Sequence, residues 1–380
     1  MEFELQEDHR IIRDMARDFA ANELAPRATR HDREERIDPD LFGMMGELGL
    51  FGLSVPEQYG GFDAGSLGLA LVLEELNHAC ASSGVTISVH ASLVCTPIVK
   101  FGSEEQKAQW LPKLATGEVI GAYSLTEAGA GSDAAALGST AERDGDEWVL
   151  NGTKLFVTTG EQAGLVIGYF RTDPEAPKAR GISAFLIDAK TPGYKVGKKE
   201  KKTGLRGSST TELVFENCRV PADSLLGELD RGFPIAMDTL DGGRIGIAAQ
   251  SLGIGRACLE ASLSYARERE QFGKPIGRFQ AVQWKLADMA TRLDAARLLT
   301  HRAAWLRDQG EPCGMQAAQA KLAASTTANF CADECLQIHG GAGYTDDFHV
   351  ERLFRDARIT EIYEGATDIQ RLVIARQLLK

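Results

Sequence analysis

Near the end of the chain, Glu364 stands in the run ITEIYEGATDIQRLVIARQLLK, with Ile362 and Tyr363 before it and Gly365 directly after. A carboxylate bounded by two apolar residues is partly desolvated, which raises its pKa and suits it to act as a base. The run as a whole reads as one amphipathic helix, in which an interior glycine costs roughly 0.5–1 kcal/mol relative to alanine. A break at Gly365 lets the backbone leave helical geometry, so that the Glu364 side chain and its own amide can both face one ligand. The plainer alternative is a solvent-facing acid at a helix start with the glycine as a joint. Glu361 lacks an adjoining glycine and is expected to pair with an arginine.

Two other constellations could hold a metal. Cys331, Cys335 and His339 fall at i, i+4 and i+8 of a helical run, but they share that face with Ala328 and Leu336 and have no evident fourth ligand, so a core face is the better reading. Glu75 and His78 supply one ExxH pair, whereas a carboxylate-bridged metal site in a helical bundle needs it twice. The nearest second copy, Asp346 with His349, falls in a turn. No metal is expected. The seven cysteines are scattered without CxxC spacing, as suits buried reduced thiols.

Three further stretches have a composition that lets a backbone approach a ligand closely. YSLTEAGAGSDAAA, 123 to 136, is a loop of small residues with free N–H groups and hydroxyls at Thr126 and Ser132. FVTTG, 156 to 160, sets an aromatic ring beside hydroxyls. QIHGGAGYTDDFHVERLFRDARITEIYEG, 337 to 365, carries three glycines followed by Arg352, Arg355 and Arg358 interleaved with Glu351, Asp356 and Glu361, read as a solvated, salt-bridged face. GxGxxG, Walker A, GxSxG and HExxH sequences are all missing, which argues against a nicotinamide Rossmann enzyme, a P-loop NTPase and an α/β-hydrolase.

The elements that must position these residues fall into three zones. Residues 1–120 are helical: RIIRDMARDFAANELAPRA is amphipathic, LGLALVLEELNHACASSGVTISVHASLV is apolar enough for a buried helix pair, and Ser103 with Glu105 or Gln106 caps the last helix. From 121 to 228 the period becomes that of strands. Asn151-Gly152 in WVLNGTKLFVTT predicts a tight hairpin turn, and LVIGYF, ISAFLID and ELVFENCRV add short strands of an antiparallel barrel or sandwich. From 229 to 380 four long helices predict a bundle.

The 380 residues carry a net charge of −12, which disfavours broad nucleic-acid binding or adhesion to an anionic membrane. With no signal peptide and no run of roughly 18–20 apolar residues, the expectation is a soluble, cytoplasmic protein without membrane insertion. The basic run GKKEKKTGLRG, 197 to 207, is either a phosphate-steering patch or a solvated hairpin loop.

TEAGAGSD, the Gln337 to Asp356 pattern with its glycines, and IYEGATDIQR lie in the order and spacing of the acyl-CoA dehydrogenase family, and LDGGRIGIAAQSLGIG with RGSS resembles its short-chain, butyryl-CoA branch. The resemblance spans essentially the whole chain and implies that family's α+β fold: an N-terminal helical domain, a middle antiparallel β barrel or sandwich and a C-terminal four-helix bundle. It implies FAD-dependent oxidation of a short-chain acyl-CoA to the trans-2-enoyl-CoA, with Glu364 as the α-proton base. Some members carry the base on the first long helix of the last domain, where this chain has Gly243.

For FAD the resemblance implies Tyr123, Leu125, Thr126 and Ser132 in the loop and Phe156 and Thr158 against the flavin ring. Phe156 replaces the tryptophan common in relatives. Arg269, Phe272, Gln280, Gln337, Gly340 and Gly341 would reach the adenine and pyrophosphate half across a subunit interface. Relatives often carry threonine and serine directly after the glycine; here Ala366 removes a hydroxyl and Asp368 shortens an acid, so expected contacts to FAD are weakened there. Asp241 and Arg244 would hold the pantetheine arm of CoA, Ser132 would touch both ligands, and Tyr363 and Gly365 would flank the thioester. It further implies a homotetramer and electron-transferring flavoprotein as acceptor. The alternatives are an acyl-CoA oxidase, a helical carboxylate–metal oxidase, or the fold used for binding alone. The segment ASSGVTISV lacks the arginine that a glutaryl-CoA enzyme would need.

Overall fold

The computed structural model describes residues 4–380. Seven helices come first: α1 (Glu7–Phe19), α2 (Ala28–Glu34), α3 (Pro39–Glu47), α4 (Gly65–Ala79), α5 (Ala81–Ser88), α6 (Thr96–Phe101) and α7 (Glu104–Ala115). A π-helical segment, Val89–Cys95, joins α5 to α6. The resulting run Ala81–Phe101 has the length and hydropathy of a membrane span, an exception to the expectation above. Yet 78% of its most apolar window is buried inside the protein: its apolar faces pack against protein, which explains the hydropathy. α7 starts in a capping box: the Gln106 amide donates to Ser103 Oγ at 3.2 Å, and the Ser103 amide donates to Gln106 Oε1 at 3.1 Å.

Strands follow: β1 (Ile120–Ser124), β2 (Thr140–Asp144), β3 (Glu147–Thr158), β4 (Ala163–Arg171), β5 (Ile182–Asp188), β6 (Tyr194–Lys199), β7 (Thr210–Pro221) and β8 (Leu225–Leu226). They form one sheet in the order β6-β7-β3-β2-β4-β5-β8, with β1 beside β4. It is mostly antiparallel, but β1 runs parallel to β4, and β2 meets β4 through a single parallel pair, Thr140 with Arg171. A core containing Trp148, Leu150, Leu213 and Phe215 on one half and Val166, Phe170, Phe185 and Ile187 on the other fills the sheet's inner face.

The predicted Asn151-Gly152 turn is not there. β3 runs unbroken through it, and the hairpin turns at Gly145-Asp146, where Asp144 pairs with Glu147. Asn151 Oδ1 accepts from the Asn217 amide at 2.8 Å, and Gly152 sits at a register shift against β7. Pairing on both sides of β3 converts a local turn signal into a bulge.

The last zone contains α8 (Gly232–Glu268), a short hairpin of β9 (Glu270–Gln271) and β10 (Lys274–Pro275), α9 (Gln280–Asp308), α10 (Gly314–His339), α11 (Val350–Arg358) and α12 (Thr367–Leu378). The terminal run is therefore not one helix with a flaw. A 3₁₀ turn, Ile359–Glu361, ends the segment begun by α11, and a loop carries Glu364 and Gly365 before α12 starts. The arginine-rich face is also less solvated than its sequence suggests, because Arg352 and Asp356 are buried. Leu205 donates its amide to Asp356 at 2.6 Å, tying the loop before β7 to α11.

The ExxH pair is consumed by structure. Glu75 accepts from Arg17 at 2.9 Å and from Arg256 at 3.0 Å, and Glu74 accepts from Arg297 at 2.9 Å. Burial pushes the Glu75 carboxyl up, but its two arginines outweigh this and hold it down at about 2. His78 meets Glu260 at 2.8 Å, and Asp346 pairs with Arg33 at 2.9 Å. E75A leaves two arginines without their shared carboxylate, and we expect it to lower unfolding free energy by about 3–5 kcal/mol in a denaturant titration. The Cys331, Cys335 and His339 face lies in the core: the His339 ring stacks on Tyr265 at 4.2 Å, and its Nδ1 meets the Cys335 carbonyl at 2.8 Å. All seven cysteines are buried free thiols.

Candidate active site

Glu364 lies in the α11–α12 loop with φ at +51°, followed by Gly365 at +91°. A left-handed glutamate is strained, and such strain persists only where neighbours enforce it. Two do so here. Lys321 Nζ on α10 donates to the Gly365 carbonyl at 2.8 Å, and Gln370 Nε2 on α12 donates to the same oxygen at 2.7 Å. The side chain is thereby aimed at α8. A Cβ placed on Gly243 would lie 2.2 Å from Glu364 Oε2 and 2.8 Å from Leu93 Cδ2, so the carboxylate occupies the volume that any larger residue at 243 would claim.

The residue as a whole is partly exposed, yet Oε2 is shut off from solvent and has no hydrogen-bond partner among the described residues. Burial pushes the carboxyl up to about 7, against the pull of Lys321 and Arg244. Arg244 is itself buried and hydrogen-bonded to Asp241 one turn earlier. Around the base, Tyr363 donates its hydroxyl to Gln250 on α8. Tyr123, on β1, keeps a buried hydroxyl without a partner, its ring 5.3 Å from that of Tyr169. Burial holds both Tyr123 and Tyr363 in the phenol form, and the Glu364 charge adds to this. Tyr123, Tyr363, Glu364, Gly365 and Arg244 thus meet where the sheet abuts the last helices.

The second wall is the loop after β1. Glu127 accepts from the Gly138 amide at 2.7 Å and the Ser139 amide at 3.1 Å, closing the loop on itself. It pairs at 2.6 Å with Lys154, whose side chain is fully buried beneath β3, and Thr126 accepts from the Leu155 amide at 2.8 Å. This fixes Leu125 and Thr126 beside the end of β3, with Ser132 in the exposed part of the same loop. There Phe156 is 63% exposed and left-handed at +56°, and Thr158 is half-buried. Gly129 and Gly131 have open space where a Cβ would be.

Other expected residues lie elsewhere. Arg269, Phe272, Gln280, Gln337, Gly340 and Gly341 are all exposed at the far end of the bundle, brought together by the Tyr265–His339 stack between α8 and α10. Residues 243 to 265 of α8 at about 1.5 Å each put roughly 33 Å between this cluster and Glu364. Asp368 is turned to solvent in the first turn of α12 and pairs with Arg371 at 3.1 Å, while Ala366 precedes the helix start. In the basic run and its flanks, Lys195, Lys198, Lys199 and Arg206 pair with Glu216, Glu200, Glu161 and Glu35, while Lys202 donates to the Ser208 carbonyl at 2.6 Å.

Sequence reasoning missed Lys321, Lys154, Glu127 and Leu93. A signal existed for Lys321, a lone cation among the small residues Ala317, Ala318, Ala324 and Ser325 on one helix face.

The descriptions Acyl-CoA dehydrogenase, N-terminal, middle and C-terminal domain match residues 6–118, 122–218 and 230–379. The chain belongs to the acyl-CoA dehydrogenase family. It is 50% identical over 377 residues to the mitochondrial short-chain specific acyl-CoA dehydrogenase of Bos taurus, covering 99% of this chain and 91% of that one. It is 44% identical over 382 residues to acryloyl-CoA reductase (NADH) of Anaerotignum propionicum, covering 100% and 96%. Among solved structures it superposes on butyryl-CoA dehydrogenase of Megasphaera elsdenii with a TM-score of 0.98 at 41% identity, covering both chains fully.

Proposed function

We propose that this enzyme oxidises short-chain acyl-CoA thioesters to trans-2-enoyl-CoA with bound FAD, Glu364 taking the α-proton. The observation that carries the reading is the desolvated, unpartnered Glu364 Oε2, held by a strained loop against the bare backbone of Gly243. The fit to a flavin rests on the second wall. An exposed Phe156 ring and Thr158 lie beside a clamped loop whose glycines and Ser132 leave room for a diphosphate, with the unpartnered Tyr123 hydroxyl nearby. Bound FAD supplies the two-electron acceptor for the β-hydride.

The chain's own residues supply the rest. Glu364 Oε2, with a pKa raised to about 7, has the proton affinity of a competent base near neutral pH. Once the α-proton reaches it, the developing enolate charge on the thioester oxygen falls to the Glu364 amide, which the left-handed loop turns toward the same ligand. Asp241 and Arg244 are assigned to the pantetheine arm, and Tyr363 and Gly365 to the flanks of the thioester. Leu125, Thr126 and Ser132 are assigned to the flavin. Arg269, Phe272, Gln280, Gln337, Gly340 and Gly341 are too far from Glu364 to serve the same copy's flavin, which supports a homotetramer in which they reach a neighbour's. Ala366 contributes backbone only, and Asp368, turned to Arg371, is the weakest of the cofactor assignments. The 50% identity to a short-chain specific acyl-CoA dehydrogenase supports a short acyl chain.

Electrons pass on to electron-transferring flavoprotein, with the protein in the cytoplasm. The test is a kcat/KM panel over C4 to C8 and branched thioesters, with electron-transferring flavoprotein and then oxygen as acceptor. A C4 optimum with slow oxygen turnover supports the reading, and fast peroxide formation supports an oxidase. K154M removes the cation that holds Glu127, so we expect the purified protein to lose flavin at least about tenfold more readily, read as absorbance lost on gel filtration.

A further inference from the structure

We infer that Lys321 is a positioning residue for proton transfer: its ammonium ties down the carbonyl that follows Glu364 and sets a buried positive charge facing the Glu364 carboxylate. The inference rests on Glu364 being the base.

The Lys321 side chain is fully buried on a face of α10 that also holds Ala317, Ala318, Ala324 and Ser325. A buried ammonium is costly unless paired, and its one hydrogen-bond partner among the described residues is the neutral Gly365 carbonyl. The fold could fill this volume with an apolar side chain, and Gln370 already donates to the same carbonyl. What Gln370 lacks is charge. Burial draws the Lys321 ammonium down to about 8, while Glu364 pulls it back up, so each group favours the ionised form of the other.

The groups facing Glu364 come from every neighbouring element. Lys321 comes from α10, and Arg244, already tied to Asp241, comes from α8. Tyr123 comes from β1 and Tyr363 from the same loop. The π-helical segment contributes Leu93, which carries no charge. Glu361 also acts on Lys321, from the preceding 3₁₀ turn. Because Arg244 is already committed to Asp241, Lys321 is the cation left to keep the carboxylate ionised in a desolvated site.

The sign follows directly. A nearby cation lowers a carboxyl pKa, so removing it moves the Glu364 midpoint up. The test uses the flavin-loaded enzyme and reads the Glu364 carboxyl by infrared titration, the band being assigned by its loss in E364Q. K321Q and K321M are expected to raise the midpoint by about one pH unit, to carry the acid limb of kcat/KM with it, and to lower kcat by ~10–100-fold with little change in KM. Q370L should slow turnover without moving the midpoint, and K321R should restore it. A midpoint unmoved in K321Q, or moved equally in Q370L, overturns the inference. If K321M does not fold, K321Q and K321R decide. Substantial turnover by E364Q would instead overturn the assignment of the base.

Discussion

Replacing Glu364 with glutamine is expected to lower turnover by about 10⁴-fold while flavin and acyl-CoA binding persist, because general-base groups contribute up to that factor. Glutamine keeps the size of the side chain and the left-handed loop, whose restraints act on the Gly365 carbonyl and not on the carboxylate. Only the proton acceptor is lost. In the unmutated enzyme kcat/KM should rise with pH through about 7, as burial-raised Glu364 gives up its proton, and E364Q should lack that limb. Equilibrium binding of a non-reacting thioether analogue measures the retained affinity, and single-turnover flavin reduction measures the chemical step. A variant that still reduces flavin at a substantial fraction of the original rate rules Glu364 out.

Gly243 gives the second large effect. A methyl group there would come within 2.2 Å of Glu364 Oε2 and 2.8 Å of Leu93 Cδ2. Both atoms are ends of side chains that can swing, so the helix survives, and alanine in a helix interior is favoured over glycine by up to ~1 kcal/mol. What cannot survive is the aim of the base, since displacing a catalytic group by about 1 Å can cost 10²-fold. G243A should therefore unfold at the same temperature or higher and yet show kcat reduced ~10²-fold. An unimpaired kcat would mean that Glu364 does not work over Gly243.

These two variants also separate what was legible in the sequence. Glu364 was, because its neighbours and its glycine are adjacent in the chain. That Gly243 makes room for it was not, because the two lie 121 positions apart and only the docking of the α11–α12 loop onto α8 brings them together. The Asn151-Gly152 turn failed for a related reason: a dipeptide preference is overridden once β3 is paired with β2 on one side and β7 on the other. Glu75, read as a possible ligand, has arginine partners from α1 and α8, 58 and 181 positions away.

The sequence by itself determined the succession of a helical, a strand and a second helical zone, the cap at Ser103, the family and the identity of the candidate base, since each is written in short-range pattern. Tertiary structure decided what surrounds that base: the bare Gly243 beneath it, the buried Lys321 and Gln370 behind it, the Arg244–Asp241 pair beside it, and the remoteness of Arg269, Phe272 and Gln337. The physical reason is that desolvation and charge act through space. A carboxyl's proton affinity depends on which residues exclude water from it, and those residues come from α8, α10, the π-helical segment and β1, elements that meet only when the chain has folded.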